Sequence, residues 1–335
     1  MSCILITGGF GYIGSHTATI LSENNKKFVI VDNFSNCKRE IVDRLKMCTN
    51  DNVAHYECDI RDTKSLVKII KENKVTSVIH FAALKSVADS IINPLEYYEV
   101  NVNGTISLLK AMKTTGVKKF LFSSTAAVYG EPDFCPIDEN HKLKPLNPYA
   151  QTKIIIENIL KDIVKSEINW SIVCLRYFNP IGSHKSGLIG DDPLMAKNSN
   201  LMPEIIKVVR GYKNHLDVFG DDYGTPDGTG IRDYIHIMDL SEAHVKALDF
   251  IDKNNGINFF NIGTGKGVSV LQLKTAFEKV SGFNLPIKIS KRREGDCAIC
   301  YANPKKANEI LKWNSKYDLS QMCQSAWIFV EKNSK

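Results

Sequence analysis

Two side chains in the middle of the chain have the types and spacing of an acid/base pair. They are Tyr149 and Lys153, in Tyr149-Ala150-Gln151-Thr152-Lys153. Residues four apart on a helix share a face. A free phenol titrates near about 10 and is a poor base at neutral pH. A neighbouring ammonium favours the phenolate, which makes Tyr149 a proton acceptor and donor. The spacing alone is not specific, because Tyr301 and Lys305 repeat it. Pro304 interrupts that second pair, so its side chains do not align on a helix. Pro148 precedes the first pair and Ile154-Ile155-Ile156 follows it, as a helix start requires. Upstream, Ser123-Ser124-Thr125 closes a strand-like run. Hydroxyls at the carboxyl end of a parallel strand face the ligand crevice. Thr125 or Ser124 is therefore placed to bridge Tyr149 and a substrate hydroxyl; the plainer alternative is turn capping.

A second constellation opens the chain. Gly8-Gly9-Phe10-Gly11-Tyr12-Ile13-Gly14 follows the apolar run Cys3-Ile4-Leu5-Ile6-Thr7 and starts an amphipathic stretch. Glycines here permit a tight turn and close approach of backbone to a pyrophosphate at a helix N-terminus. An acid should follow at the end of the second strand to hold the adenosine ribose. Asp32 ends Phe28-Val29-Ile30-Val31-Asp32 and satisfies this. A carboxylate at that point favours a free 2′-hydroxyl, hence NAD over NADP. Lys38 and Arg39 lie close enough to serve a 2′-phosphate, but Asp32 outweighs them. Asp59 is expected near the adenine, or as a helix cap. A bound nicotinamide would add its positive charge to that of Lys153 beside Tyr149.

The elements that must position these residues read as alternating strands and helices. Strands are expected at 3–7, 28–32, 53–57, 77–82, 118–123 and 171–176. Helices are expected at 12–24, 38–47, 63–73, 95–114 and 149–166. Continuous Val/Ile/Phe runs imply strands covered on both faces, hence an α/β, Rossmann-type, doubly wound parallel sheet. After Asn179-Pro180 the texture becomes rich in Gly, Asp, Asn and Pro, with a helix near 203–211 and turn chemistry at 226–230. The expected division is a cofactor domain over 1–180 and a smaller C-terminal α/β substrate domain over 181–335. The first domain may take back a strand or helix from 234–250.

Composition narrows the partners. The chain has 335 residues, with 43% hydrophobic and 24% charged, as in ordinary globular proteins. No run of 18 apolar residues occurs, so no membrane span is expected. Met1 to Gly8 reads as a buried strand and not as a signal peptide. The net charge of +6 is spread along the chain, which argues against nucleic acid. Nine cysteines, an odd number, point to reduced thiols and a cytoplasmic setting. Cys297 and Cys300 have CxxC spacing but lack the further ligands of a zinc site, and no metal is expected. They also lack the βαβ context of a redox motif, and read as two small side chains in a loop.

Taken in order, these features resemble the extended short-chain dehydrogenase/reductase superfamily. The closer resemblance is to its UDP-glucose 4-epimerase family. It is carried by Thr7 through His16, His80-Phe81-Ala82-Ala83-Leu84-Lys85, Asn101-Val102-Asn103-Gly104-Thr105, Arg176-Tyr177-Phe178-Asn179-Pro180, Gly228 through His236 and Arg292-Arg293-Glu294-Gly295-Asp296. The resemblance implies inversion at sugar carbon 4 through a 4-keto intermediate, with Tyr149, Lys153 and Thr125 catalytic. It implies NAD contacts from Gly8, Gly11, Tyr12, Ile13, Gly14, Asp32, Asn33, Asn36, Asp59, Ile60, Phe81, Ala82, Ala83, Lys85, Asn101, Ser123, Ser124, Tyr177 and Phe178. It implies UDP-sugar contacts from Lys85, Phe178, Asn179, Asn200, Leu201, Leu216, Phe219, Arg232, Arg293, Asp296 and Cys300. A homodimer through the helices near 95–114 and 149–166 is also implied. The small Cys300 leaves room for an N-acetyl group, so UDP-N-acetylglucosamine and UDP-N-acetylgalactosamine are expected substrates as well. A sugar-nucleotide 4,6-dehydratase is the nearest rival, but Ala126 and Ala127 follow Thr125 where it needs acid/base carboxylates; a non-catalytic dinucleotide-binding sensor is the other alternative, against which the Tyr149/Lys153 pair stands.

Overall fold

A computed structural model describes residues 2–49, 53–195, 200–293 and 295–333. Its first half alternates strictly: β1 (Cys3–Thr7), α1 (Tyr12–Glu23), β2 (Lys27–Asp32), α2 (Ile41–Thr49), β3 (His55–Glu57), α3 (Thr63–Glu72), β4 (Val75–His80). Then come α4 (Val87–Ile92), α5 (Pro94–Tyr97), α6 (Gly104–Thr115), β5 (Lys119–Thr125), α7 (Pro148–Ser166) and β6 (Ser171–Tyr177). The second half holds β7 (Asn179–Ile181), α8 (Leu201–Val209), β8 (Leu216–Phe219), β9 (Ile231–Arg232), β10 (Tyr234–His236) and α9 (Ile237–Ile251). It ends with β11 (Gly256–Ile262), β12 (Val268–Ser269), α10 (Val270–Ser281), β13 (Ile287–Ser290), β14 (Ile299–Cys300) and α11 (Leu319–Lys332).

Seven strands form one parallel sheet in the order β11-β6-β5-β4-β1-β2-β3. Strand alternation explains why both faces are apolar. Ile4, Ile6 and Ile30 point into one core with Ala18 and Leu21 of α1 and Leu240 and Leu248 of α9. Cys3, Leu5, Val29 and Val31 point into the other, with Leu66 of α3, Leu108 and Met112 of α6 and Leu160 of α7. The strand order reverses between β1 and β4, which opens a crevice at their carboxyl ends.

Two expected elements differ. The helix expected at 95–114 forms, with continuous helical backbone from Pro94 to Thr115, but it carries a π segment that the sequence did not suggest. Pro94 lacks an N–H and begins α5, and a wide π-type turn over Tyr98–Asn103 precedes α6. Asn101 in that turn exchanges two hydrogen bonds with the backbone of Leu84, at 2.8 and 3.0 Å. That tie fixes the π segment to the loop after β4. The strand expected at 77–82 is Val75–His80, because the N–H groups of Phe81 and Ala82 both turn to the Thr7 carbonyl.

The second half packs smaller sheets against α8, α10 and α11. The pairs are β8 with β13, β7 with β10, and β9 between β12 and β14. Met202, Ile206, Phe277, Met322 and Ala326 share its core. Capping boxes at Ser269/Gln272 and Asp318/Gln321 start α10 and α11. Among the described residues no helix is long and apolar enough to cross a membrane.

Six histidines are buried, and four of them, His16, His80, His236 and His244, have strongly lowered pKa values. Burial lowers them from 6.5 to about 3, 3, 4 and 4 respectively. Their neutral forms stabilise the fold fully above pH 6.5, and that stability is lost as pH falls towards 4. At pH 5.5 each costs about 1 kcal/mol. Urea unfolding at pH 7.5 and 5.5 should therefore show a clearly lower midpoint at 5.5; equal midpoints would contradict these protonation states.

Candidate active site

Residues 149, 153 and 157 follow one another at helical spacing along α7. Pro148 at the first turn and the Asn147 side chain, which accepts from the Ala150 N–H at 2.9 Å, fix where this helix starts. Tyr149 is partly buried, and the Thr125 hydroxyl at the end of β5 is the group that favours its phenolate. The Lys153 Nζ donates to the Ser123 carbonyl at 2.8 Å and lies 4.9 Å from the Phe122 ring centre. Lys153 is buried, which lowers its ammonium to about 7 while Glu157 opposes the shift.

The Tyr149 phenol does not behave as the sequence suggested. Burial pushes it up to about 12, and the Thr125 hydroxyl only partly opposes this. The Lys153 Nζ stands 5.9 Å from the phenol ring centre and is committed to a carbonyl. The chain's own residues therefore keep Tyr149 protonated, and an added positive charge is required to release the proton.

Ser124 is corrected as a candidate bridge. Side chains alternate along β5, so Ser124 faces away from Ser123 and Thr125. Its hydroxyl donates to Glu157 Oε1 at 2.7 Å in a buried site. There Arg176 of β6 grips Glu157 through Nε at 3.0 Å and Nη2 at 2.7 Å. Arg176 also donates to the Tyr129 hydroxyl at 2.9 Å. The sequence reading missed Glu157, although a lone carboxylate after Ile154-Ile155-Ile156, four residues beyond Lys153, was its signal.

The glycine loop lies against the loop after β4. Gly8 has a φ of +67°, and a Cβ there would sit 2.6 Å from the Ala82 nitrogen. A Cβ on Gly14 would lie 2.4 Å from the Gly8 carbonyl oxygen. Gly11 caps α1 with no side chain over the helix end, and α1 has no acid in its first turn. Gly11, Tyr12, Asn36 and Lys85 line an open cleft. Asp32 is buried and accepts from the N–H of Phe10 at 3.0 Å and of Phe34 at 2.9 Å. Each oxygen keeps a lone pair for a ribose hydroxyl. An unblocked helix N-terminus, a small-residue cradle and a strand-end carboxylate fit a dinucleotide.

Other candidates surround this cleft. Asn33 donates to Asp59 at 3.2 Å. Asp59 is held near 2 by Arg61 and is not the cap of α3, a part taken by Asp62. Ile60 packs against Gly104. Tyr177 is buried and its hydroxyl bonds His244, whose ring stacks obliquely on Phe81 at 4.9 Å. Asn101 spends its amide on Leu84 and on the Thr152 hydroxyl. Ala83 and Ile13 are partly buried at the rim.

Across the cleft, Phe178 and Cys300 are buried in one cluster with Ala126. Asn179 donates its N–H to the Asp233 carbonyl at 2.9 Å. Arg232 is register partner to Cys300 and lies 3.6 Å from Asp296. The Arg293 guanidinium stacks on the Phe219 ring at 3.8 Å. Asn200 is exposed at the start of α8, beside Leu201. Leu216 faces the core of the smaller half. Glu294, within the arginine motif, lies outside the described residues.

Gly14→Val should strip the purified protein of dinucleotide, since the added Cβ meets the loop's own backbone. Absorbance at 260 nm of the perchloric-acid supernatant reads this directly; wild-type dinucleotide content in the variant would contradict the cradle.

Comparison with known proteins places this arrangement. The sequence profile described as GDP-mannose 4,6 dehydratase matches residues 5–326. A UDP-glucose 4-epimerase of Bacillus subtilis is 47% identical over 330 residues, 98% of this chain and 97% of its own. The structure of a Stenotrophomonas maltophila UDP-glucose-4-epimerase, with bound NAD and formylated UDP-arabinopyranose, superposes with a TM-score of 0.97. It is 42% identical and the match covers 100% of this chain and 99% of that one. A Bifidobacterium longum UDP-glucose 4-epimerase in complex with NAD+ and UDP gives 0.95 at 42% identity, over 99% of each chain. With its glycine cradle, its Tyr149 opposite Thr125 and these full-length relatives, the chain belongs to the UDP-glucose 4-epimerase family, within the wider group matched by the GDP-mannose 4,6 dehydratase profile.

Proposed function

We propose that this protein interconverts UDP-glucose and UDP-galactose by inverting sugar carbon 4. The observation that carries the reading is Tyr149 at the start of α7, with Lys153 one turn on bonded to the Ser123 carbonyl and Thr125 closing the same strand, in a chain that carries the dinucleotide cradle. NAD, when bound, supplies the hydride acceptor at carbon 4, returns the hydride to the opposite face, and brings the positive charge that Tyr149 lacks. Gly8, Gly11, Gly14 and Asp32 hold it, with Lys85 at the cleft rim. Thr125 orients the sugar 4-hydroxyl, Tyr149 removes its proton and later restores it, and Lys153 anchors the geometry through Ser123. The sugar is held through its UDP, for which Arg232 and Arg293 offer guanidinium forks to the diphosphate. The 4-keto sugar must turn between the two half-reactions. Tight contacts therefore belong on the nucleotide and loose ones on the sugar.

A dehydratase would need a carboxylate beside Thr125, and Ala126 and Ala127 stand there. The cofactor half is best drawn as residues 1–180 with α9 and β11, because β11 pairs with β6 and α9 packs on α1. Nine free cysteines support a cytoplasmic setting, and the proposed reaction itself would belong to galactose metabolism. Exposed Ile91, Ile92 and Leu95 beside the turn that leads into α6 support a homodimer.

Cys300 is buried with Phe178 and Ala126, and its small size supports acceptance of N-acetylated sugars. Cys300→Tyr should abolish turnover of UDP-N-acetylglucosamine and spare UDP-glucose. Equal loss of both, or persistence of the first, would refute this role.

Purified protein given UDP-galactose should yield UDP-glucose; a 4-keto-6-deoxy sugar would establish the dehydratase instead. Tyr149→Phe should lower the rate by about 10²-fold or more and keep the bound NAD. A wild-type rate would remove Tyr149 from the mechanism.

A further inference from the structure

Three of the nine thiols converge at the sugar end of the cleft. Cys300 lies in a buried cluster with Ala126, Phe178 and Ala302, and Cys297 and Cys135 both pack against that cluster. Cys135 approaches the same strand from the other side and donates to the Ile299 carbonyl at 3.6 Å. The remaining cysteines lie elsewhere, in the cores or at the outer helices. This pair is therefore more than the two loop residues that the spacing suggested. Cys300 is fixed in β14, opposite Arg232 in the β9 ladder. Cys297 sits in the loop before it, half-buried and open to small reagents. Asp296, next to Cys297, is the ion-pair partner of Arg232.

The charge distribution separates the two sulfurs. The Cys300 thiol and the Arg232 guanidinium favour the Cys297 thiolate and bring that thiol to about 7. Burial and the neighbouring Cys297 push Cys300 well up. One sulfur is thus an accessible nucleophile at neutral pH, and the other is a resolving thiol held beside it.

We propose that Cys297 and Cys300 form a reversible thiol–disulfide switch that closes the sugar end of the substrate cleft when a low-molecular-weight disulfide oxidises it. The Cys297 thiolate attacks one sulfur of the oxidant and expels a thiolate, leaving a mixed disulfide on Cys297. The Cys300 thiol loses its proton to solvent, attacks the Cys297 sulfur and expels the second thiolate. Two protein thiols are oxidised by two electrons, and one disulfide is reduced to two thiols. The new bond draws residue 297 onto β14. It displaces Asp296 from Arg232 and removes the free thiol that leaves space beside the sugar. The effect on turnover rests on the epimerase reading; formation of the bridge does not.

The test uses the NAD-loaded full chain, treated with oxidised glutathione and then dithiothreitol. Both cysteines lie on one tryptic peptide, residues 294–305, so loss of two hydrogens and of alkylation there reports the bridge without any assay. The expected result is that bridge, with at least a fivefold loss of UDP-galactose turnover that dithiothreitol restores. Cys297→Ser should keep the basal rate in reducing buffer and become insensitive to the oxidant, and Cys135→Ser should remain sensitive. A Cys135–Cys297 bridge, no bridge, or a sensitive Cys297→Ser variant would overturn the pairing. A 297–300 bridge with unchanged turnover would overturn the switch. An enzyme already inactive on UDP-sugars before oxidation would refute the assigned activity, while the peptide result would still decide the bridge.

Discussion

The geometry of the site depends on one buried ion pair. Arg176 on β6 holds Glu157 on α7 through two parallel hydrogen bonds, with both side chains almost wholly out of water. A pair removed from water needs every remaining hydrogen-bonding position filled. Ser124 and Tyr129 fill them, and Tyr129 is held in turn by Asn261 of β11. The network joins α7 to three adjacent strands. It sets the depth and rotation of α7 against the sheet, and so places Lys153 on the Ser123 carbonyl and Tyr149 opposite Thr125.

The same burial explains the acid/base character of the site. Tyr149 and Lys153 occupy a dry seam between α7 and the strand ends, where both charged forms are disfavoured. The phenol rises and the ammonium falls, so the resting chain holds a protonated Tyr149. A cationic nicotinamide in the adjacent cleft is the missing charge. Chemistry is thereby coupled to cofactor occupancy: the base becomes competent where the hydride acceptor is present.

The two sides of the cleft use different physics. The cofactor side relies on backbone and small residues, as at Gly8 and Gly14, where any side chain meets main chain. The substrate side relies on guanidinium groups steadied by neighbours: Arg293 on Phe219, and Arg232 on Asp296. Short strands carry these arginines, and β14 brings Cys300 into register with one of them. In the function proposed, sugar space, nucleotide grip and thiol chemistry would therefore meet within a few residues.

Much of this was legible in the amino-acid order. Apolar runs alternating with amphipathic ones determine a doubly wound sheet, because only a covered parallel strand is apolar on both faces. The glycine spacing, Asp32 at a strand end and the Tyr149–Lys153 interval are local patterns, and they determined the cofactor class and the candidate base. Tertiary structure decided what depends on distant partners. The helix expected over 95–114 carries a π segment in which Asn101 is bonded to Leu84 of a distant loop. Ser124 turns from the cleft because strand alternation and Glu157 take it. The Tyr149 phenol rises because burial outweighs a lysine already committed to a carbonyl. Cys300 is set beside Arg232 because β14 pairs with β9, a contact between segments some seventy residues apart that no local pattern encodes.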